Sequence, residues 1–193
     1  MVTIENYKVY DLKESVIACR NAMRLTLPEY TEEEFQESLP RAIRLAKCGG
    51  GSGHSNFRVG IRVAFDIKYP NYFSPELQRY HFNDIICSSS KMHRLVHMDM
   101  DACFNKYVTN ESKEQMKRLL QAYKTEPCYD TFIRLLSNCP QGVELFMRCT
   151  TNYEQLSTIY KQRKNHRLSE DWGAFCSFIE SLPYAHELII CDA

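Results

Sequence analysis

Three things are missing from this sequence, an excess of charge, a C-x-x-C pair and a long apolar run, and glycine is sparse outside one short stretch. Basic and acidic residues number 24 each across 193 residues. There is therefore no overall field to hold duplex nucleic acid by counterion release. The same balance gives little colloidal repulsion, which suits a chain that assembles with copies of itself. The nine cysteines, Cys19, Cys48, Cys87, Cys103, Cys128, Cys139, Cys149, Cys176 and Cys191, are odd in number and scattered. They read as reduced, mostly buried thiols and not as a zinc site or disulfide framework. No apolar run approaches the ~18 residues of a membrane span, and MVTIENYKVYDLKES lacks a basic-then-apolar leader pattern. The expectation is a soluble, cytoplasmic protein that does not engage a membrane.

What is present is 44% hydrophobic residues, enough for one domain over 1–193 to bury a core of its own. Asp11 to Leu25 carries Val16, Ile17, Cys19, Ala22 and Met23 at helical spacing, and Pro28 ends it. Thr31 followed by Glu34 is a capping-box pattern, so a second helix is expected from Glu32 to Lys47. Four of the seven glycines fall between Gly49 and Gly53, where only a loop accommodates them. Phe57, Val59, Ile61, Val63, Phe65 and Ile67 then alternate with other residues, the signature of a strand with one buried face. A short helix is expected over Ser74 to Phe82, then an irregular polar stretch through Ser88-Ser89-Ser90-Lys91. Asn110 caps a helix to Tyr123, and another covers Asp130 to Leu136. A strand over Gly142 to Thr151 and helices over Tyr153–Lys164 and Ser169–Leu182 complete an α+β pattern.

Several features have bland readings. Gly49 to Gly53 lacks the GK[ST] ending of a phosphate loop and reads by itself as a connector. His93, His97, Asp99 and Asp101 are ligand types close together, but no metal signature is complete, and a solvated helix end is preferred. Tyr153, Tyr160, Trp172, Phe175 and Phe178 fall at helical spacings that indicate packing. The basic run over residues 161–167 suits a helix C-terminus, where cations meet the dipole.

One set of residues carries more. Arg79-Tyr80-His81, seven residues, then Ser89 has the spacing of the Arg-His-Arg, seven residues, Ser signature of flavin-dependent thymidylate synthases, with the middle pair changed. Gly53-His54, the strand ending in Lys68 and Pro70, Ala18-Cys19-Arg20, and the series Pro140, Asn152, Leu156, Arg163 all resemble that family in type and spacing. The resemblance implies one α+β domain with a mixed or antiparallel sheet packed by helices, assembling as a homotetramer with sites between subunits. It implies that Arg79, Ser89, Ser90, Lys91 and Arg163 hold a pyrimidine nucleotide such as dUMP, whose phosphate needs such charges and donors. His54, Asn56, Tyr80, His81 and Asn152 stand on the implied FAD side, and Cys87 stands where the family carries a glutamate. Methylenetetrahydrofolate and NADPH would be co-substrates, with no protein nucleophile and the protein supplying orientation. Two readings remain open: a methyl-transferring flavoprotein, and a non-catalytic protein that binds or sequesters a nucleotide. A third is a pure assembly module.

Overall fold

The alternation Val63, Phe65, Ile67, Tyr69 builds the central strand, because every second residue is buried: β2 runs Arg62–Pro70. The computed structural model describes residues 1–48 and 53–191. Beside β2 lie β1 (Thr3–Tyr10) and β4 (Glu144–Asn152), and β3 (Asp84–Ser88) forms the far edge. The order is β1-β2-β4-β3 with all pairings antiparallel. One face of the sheet is the core. Val63, Phe65 and Ile67 of β2 and Leu145, Met147 and Cys149 of β4 belong to one buried cluster with Trp172, Phe175 and Phe178. Each large side chain fully removed from water there contributes roughly 1.5–3 kcal/mol before entropy is counted. The opposite face is open: Asp66 faces Arg148 and Lys68 faces Phe146 across the β2–β4 register, and Phe146 is 55% exposed.

Helices close the core side. They are α1 (Leu12–Ala18), α2 (Glu32–Ala46), α3 (Phe57–Gly60), α4 (Ser74–Leu77), α5 (Lys91–Arg94), α6 (Asn110–Thr125), α7 (Tyr129–Ser137), α8 (Tyr153–Arg163), α9 (Ser169–Glu180) and α10 (Ala185–Leu188). A smaller cluster of Leu95, Met100, Phe104, Met116, Leu120, Leu135 and Val143 sits under α6 and α7. Tyr153, Trp172, Phe175 and Phe178 are buried, as their spacing indicates, and Tyr160 packs against them. No described helix is long and apolar enough to cross a membrane.

The α+β class and the antiparallel sheet agree with expectation, and the differences are local. The helix expected over Asp11–Leu25 ends at Ala18, because beyond it no face is buried: Leu25 and Leu27 stand almost wholly in solvent. β1 is absent from the sequence reading, its alternation broken by a register shift between Glu5 and Lys8, with Asn6 at φ 49°. Phe57–Gly60 is a helical turn and not strand, so the strand starts five residues later. Gly60, the last residue of that turn, packs so close to α1 that a Cβ there would come within 2.2 Å of the Ser15 hydroxyl. Arg58, expected on a polar strand face, is instead buried, donating to the Leu188 carbonyl at 3.2 Å and pairing with Glu154 at 2.5 Å. The stretch read as irregular contains β3, exposed on both faces and so without period. The helix read over Ser74–Phe82 stops at Leu77.

The caps refine two further points. Thr31 accepts from the Glu34 N–H at 3.2 Å, while the Glu34 carboxylate pairs with Arg24 and does not close the box. Thr109, not Asn110, caps α6, accepting from Ser112 at 3.3 Å. Of the nine cysteines, only Cys149 and Cys176 are buried. Of the glycine loop, Gly53 is described at φ 75°, a conformation suited to glycine, and residues 49–52 lie outside the described residues.

Candidate functional site

The short α4 and the turn after it present Glu76 and Tyr80 to α8 and α9. Tyr80 is buried, and its hydroxyl donates to Gln162 Oε1 at 3.0 Å while accepting from Arg163 Nε at 2.7 Å. Burial pushes this phenol up, and the hydrogen bond from Arg163 pulls it back down. Arg163 Nη1 donates to Glu76 Oε2 at 3.0 Å, and the same carboxylate oxygen accepts from Trp172 Nε1 at 2.8 Å. The guanidinium lies 4.6 Å from the Trp172 ring and 5.6 Å from the Tyr80 ring. Arg79, between Glu76 and Tyr80 in sequence, is exposed and makes no side-chain hydrogen bond or ion pair with a described residue.

The other half of the signature lies at the far end of β3. Thr151 Oγ1 donates to the Phe82 carbonyl at 2.8 Å, whereas Ser89 N–H donates to the Phe146 carbonyl at 2.8 Å. From Thr151 to Phe146 is five steps of β4, about 17 Å at antiparallel rise. Arg79 and Ser89 of one chain thus sit at opposite ends of the strand. Ser89 Oγ accepts from Phe146 N–H at 3.0 Å and keeps its own proton for another acceptor. Ser90 precedes α5 without a side-chain cap bond, and Lys91 begins it. These serines open onto a cleft of about 500 Å³ whose walls include Cys87, Arg94, Phe146 and Arg148. That size lies within the range of small-molecule sites. Arg94 lies 6.0 Å over the Phe146 ring, and Arg148 donates to Asp66 at 3.1 Å and to the Asn6 carbonyl at 2.9 Å. Hydrogen bonds from Asn6 first and Arg148 second hold the Asp66 carboxyl below its ordinary range.

Of the implied flavin-side residues, three are exposed and two are buried. His54 and Asn56 are exposed in the turn before α3, and His81 is exposed after Tyr80. Asn152 is buried and caps α8, accepting from Gln155 N–H at 2.9 Å. The structure therefore brings Tyr80 to Arg163 and keeps Ser89, Ser90 and Lys91 together at the end of β3 away from Arg79. Glu76, Gln162, Trp172, Arg94, Phe146 and Arg148 were not picked out by sequence reasoning as site residues. Only the placement of Glu76 three residues before Arg79 signals any of them beforehand. Among the described residues no group of three or more His, Cys, Asp or Glu side chains could hold a metal ion.

No family model matches the sequence, and no curated protein matches it. Solved structures do. The flavin-dependent thymidylate synthase ThyX of Helicobacter pylori, complexed with FAD and dUMP, superposes with a TM-score of 0.74 at 15% identity, covering 98% of each chain. The UMP/dUMP methylase PolB of Streptomyces cacaoi, bound with 5-Br dUMP, gives 0.63 at 11% identity over 99% of this chain and 95% of that one. Its complex with 5-Br UMP gives 0.64 at 13% identity over 97% and 93%. The chain has the fold of flavin-dependent thymidylate synthases and of this pyrimidine nucleotide methylase, from its first strand to its last helix.

Proposed function

We propose that the protein binds a pyrimidine nucleoside monophosphate of the dUMP and UMP class, with Arg79, Ser89, Ser90 and Lys91 as the groups that meet its phosphate. The observation that carries this reading is the contrast between the two arginines of the resemblance. Arg163 spends Nε and Nη1 inside the chain, whereas Arg79, at the signature position, has an exposed guanidinium with no partner among the described residues. A planar fork with five donors suits a phosphate; Ser89 and Ser90 add donors in the wall of the 500 Å³ cleft, and Lys91, next in sequence, adds charge. Because Arg79 and Ser89 lie at opposite ends of β3, a complete site takes the first from one copy and the second from another. The protein is accordingly proposed to be a homo-oligomer, a tetramer by resemblance.

Methyl transfer is the reaction of the methylase that shares the fold, and FAD is the cofactor held by the synthase. Bound flavin would supply carrier chemistry for a one-carbon unit from methylenetetrahydrofolate, with NADPH as reductant. His54, Asn56 and His81 are exposed and could hold it. Tyr80 is buried with its hydroxyl engaged on both sides, and Asn152 is buried with its side-chain oxygen committed to the α8 cap, so two of the five flavin-side positions are already spent within the chain. That misfit favours the second reading, a nucleotide-binding protein without flavin chemistry.

Isothermal titration with dUMP, UMP and AMP tests the proposal. The pyrimidine nucleotides bind, and Arg79→Ala weakens them about 10- to 100-fold, the range for hydrogen bonds to a charged group. Absence of dUMP binding at millimolar concentration would sink it. The visible spectrum after adding FAD separates the two readings, since flavin bands that remain with the protein through gel filtration require a flavin site.

A further inference from the structure

We infer that Arg163 is a positioning residue, which orients Arg79 through Glu76 and Tyr80 and does not itself touch the nucleotide. The inference rests on the nucleotide reading above. Glu76, in α4, and Tyr80, in the turn that follows it, both direct their side chains to Arg163. The backbone of that turn is tight: Gln78 N–H donates to Ser74 at 2.9 Å, Tyr80 to Leu77 at 3.2 Å and Arg79 to Glu76 at 3.4 Å. Arg163 grips both side chains, Nη1 on Glu76 and Nε on Tyr80, with its plane against Trp172. Arg79 lies one residue before Tyr80 and points its charge to solvent. With three fixed points on its guanidinium, Arg163 has little freedom to follow a ligand. Its side chain is only 14% exposed.

The same geometry gives the altered signature a purpose. Tyr80 replaces the histidine of the resembled pattern, and only its terminal hydroxyl reaches between Arg163 Nε and Gln162 Oε1. Phenylalanine would leave that donor and that acceptor without their partner, and imidazole is shorter than phenol by the distance to that oxygen. Tyr80 is therefore a clamp on the turn that carries Arg79.

A double-mutant cycle in dUMP binding separates the clamp from a direct contact. Arg163→Gln and Tyr80→Phe are each made alone and with Arg79→Ala, and titrated with dUMP. Each is expected to weaken binding several-fold when Arg79 is present and to have no further effect when it is absent. A full additional loss in the Arg79→Ala background means that Arg163 meets the nucleotide, which overturns the clamp and leaves the nucleotide reading standing. Trypsin supplies a readout that needs no nucleotide. Cleavage after Arg79 is expected to be several-fold faster in Arg163→Gln than in the unaltered protein, and an equal rate overturns the clamp even where dUMP does not bind. If Arg163→Gln fails to fold, as read by circular dichroism, Tyr80→Phe, which removes a single oxygen, carries both measurements.

Discussion

The two ends of β3 are built in opposite ways. At the Tyr80 end, three side chains, Glu76, Tyr80 and Trp172, converge on one guanidinium, two of them, Tyr80 and Trp172, nearly or wholly out of water. At the Ser89 end, one reciprocal backbone and side-chain pair with Phe146 ties the strand down, and the rest opens onto a cleft. The difference teaches where rigidity is located. A charged group buried without partners is costly, so a network that buries Arg163 must satisfy it and thereby fixes every member. Serines at an open cleft carry no such obligation and stay available to a ligand.

The comparison can be broken most decisively at Trp172. Trp172→Ala removes a fully buried ring and one hydrogen bond to Glu76, and is expected to cost about 3–5 kcal/mol by urea denaturation. A loss below about 1 kcal/mol would show that the closed end is not the rigid one. A smaller effect is expected from alkali. Burial raises the Cys149 thiol, on the core face of β4, from its ordinary 9.0 to about 11, and Cys176 likewise. Because the folded values lie above the unfolded ones, the neutral thiols stabilise the fold fully below about pH 9, and this stabilisation is lost as pH rises toward 11. The urea midpoint should fall across that window, with a shallower fall in Cys149→Ala. The smallest effect belongs to the open end. Ser89→Ala is expected to lower stability by about 1 kcal/mol or less, since water can reach the Phe146 N–H it abandons, while weakening dUMP several-fold. A stability loss as large as that of Trp172→Ala would erase the distinction between the ends.

Much of this was legible beforehand where a local pattern had one physical cause. The alternation over Val63, Phe65 and Ile67 placed the central strand because one face of it is buried. Asn152 and Thr31 were legible as polar residues at helix starts only in part: Thr31 as a cap, Asn152 as a ligand residue by resemblance, when its carbonyl oxygen caps α8. β1 and β3 escaped because one is bulged and the other exposed on both faces, and neither condition leaves a period in the sequence. Arg58 reads as a surface residue in any local window, and only α10 and Glu154, which are distant in sequence, make it a buried one.

By itself, then, the sequence determined the α+β class, the central strand, the long helices and the spacing from Arg79 to Ser89. Those depend on residues within a turn or a strand of one another. Tertiary structure alone decided that Arg163 is held by Glu76 and Tyr80, 87 and 83 residues away, and that Arg79 is not. Hydrogen bonding partners at that separation are chosen by which surfaces the core brings together, and no local pattern encodes that choice.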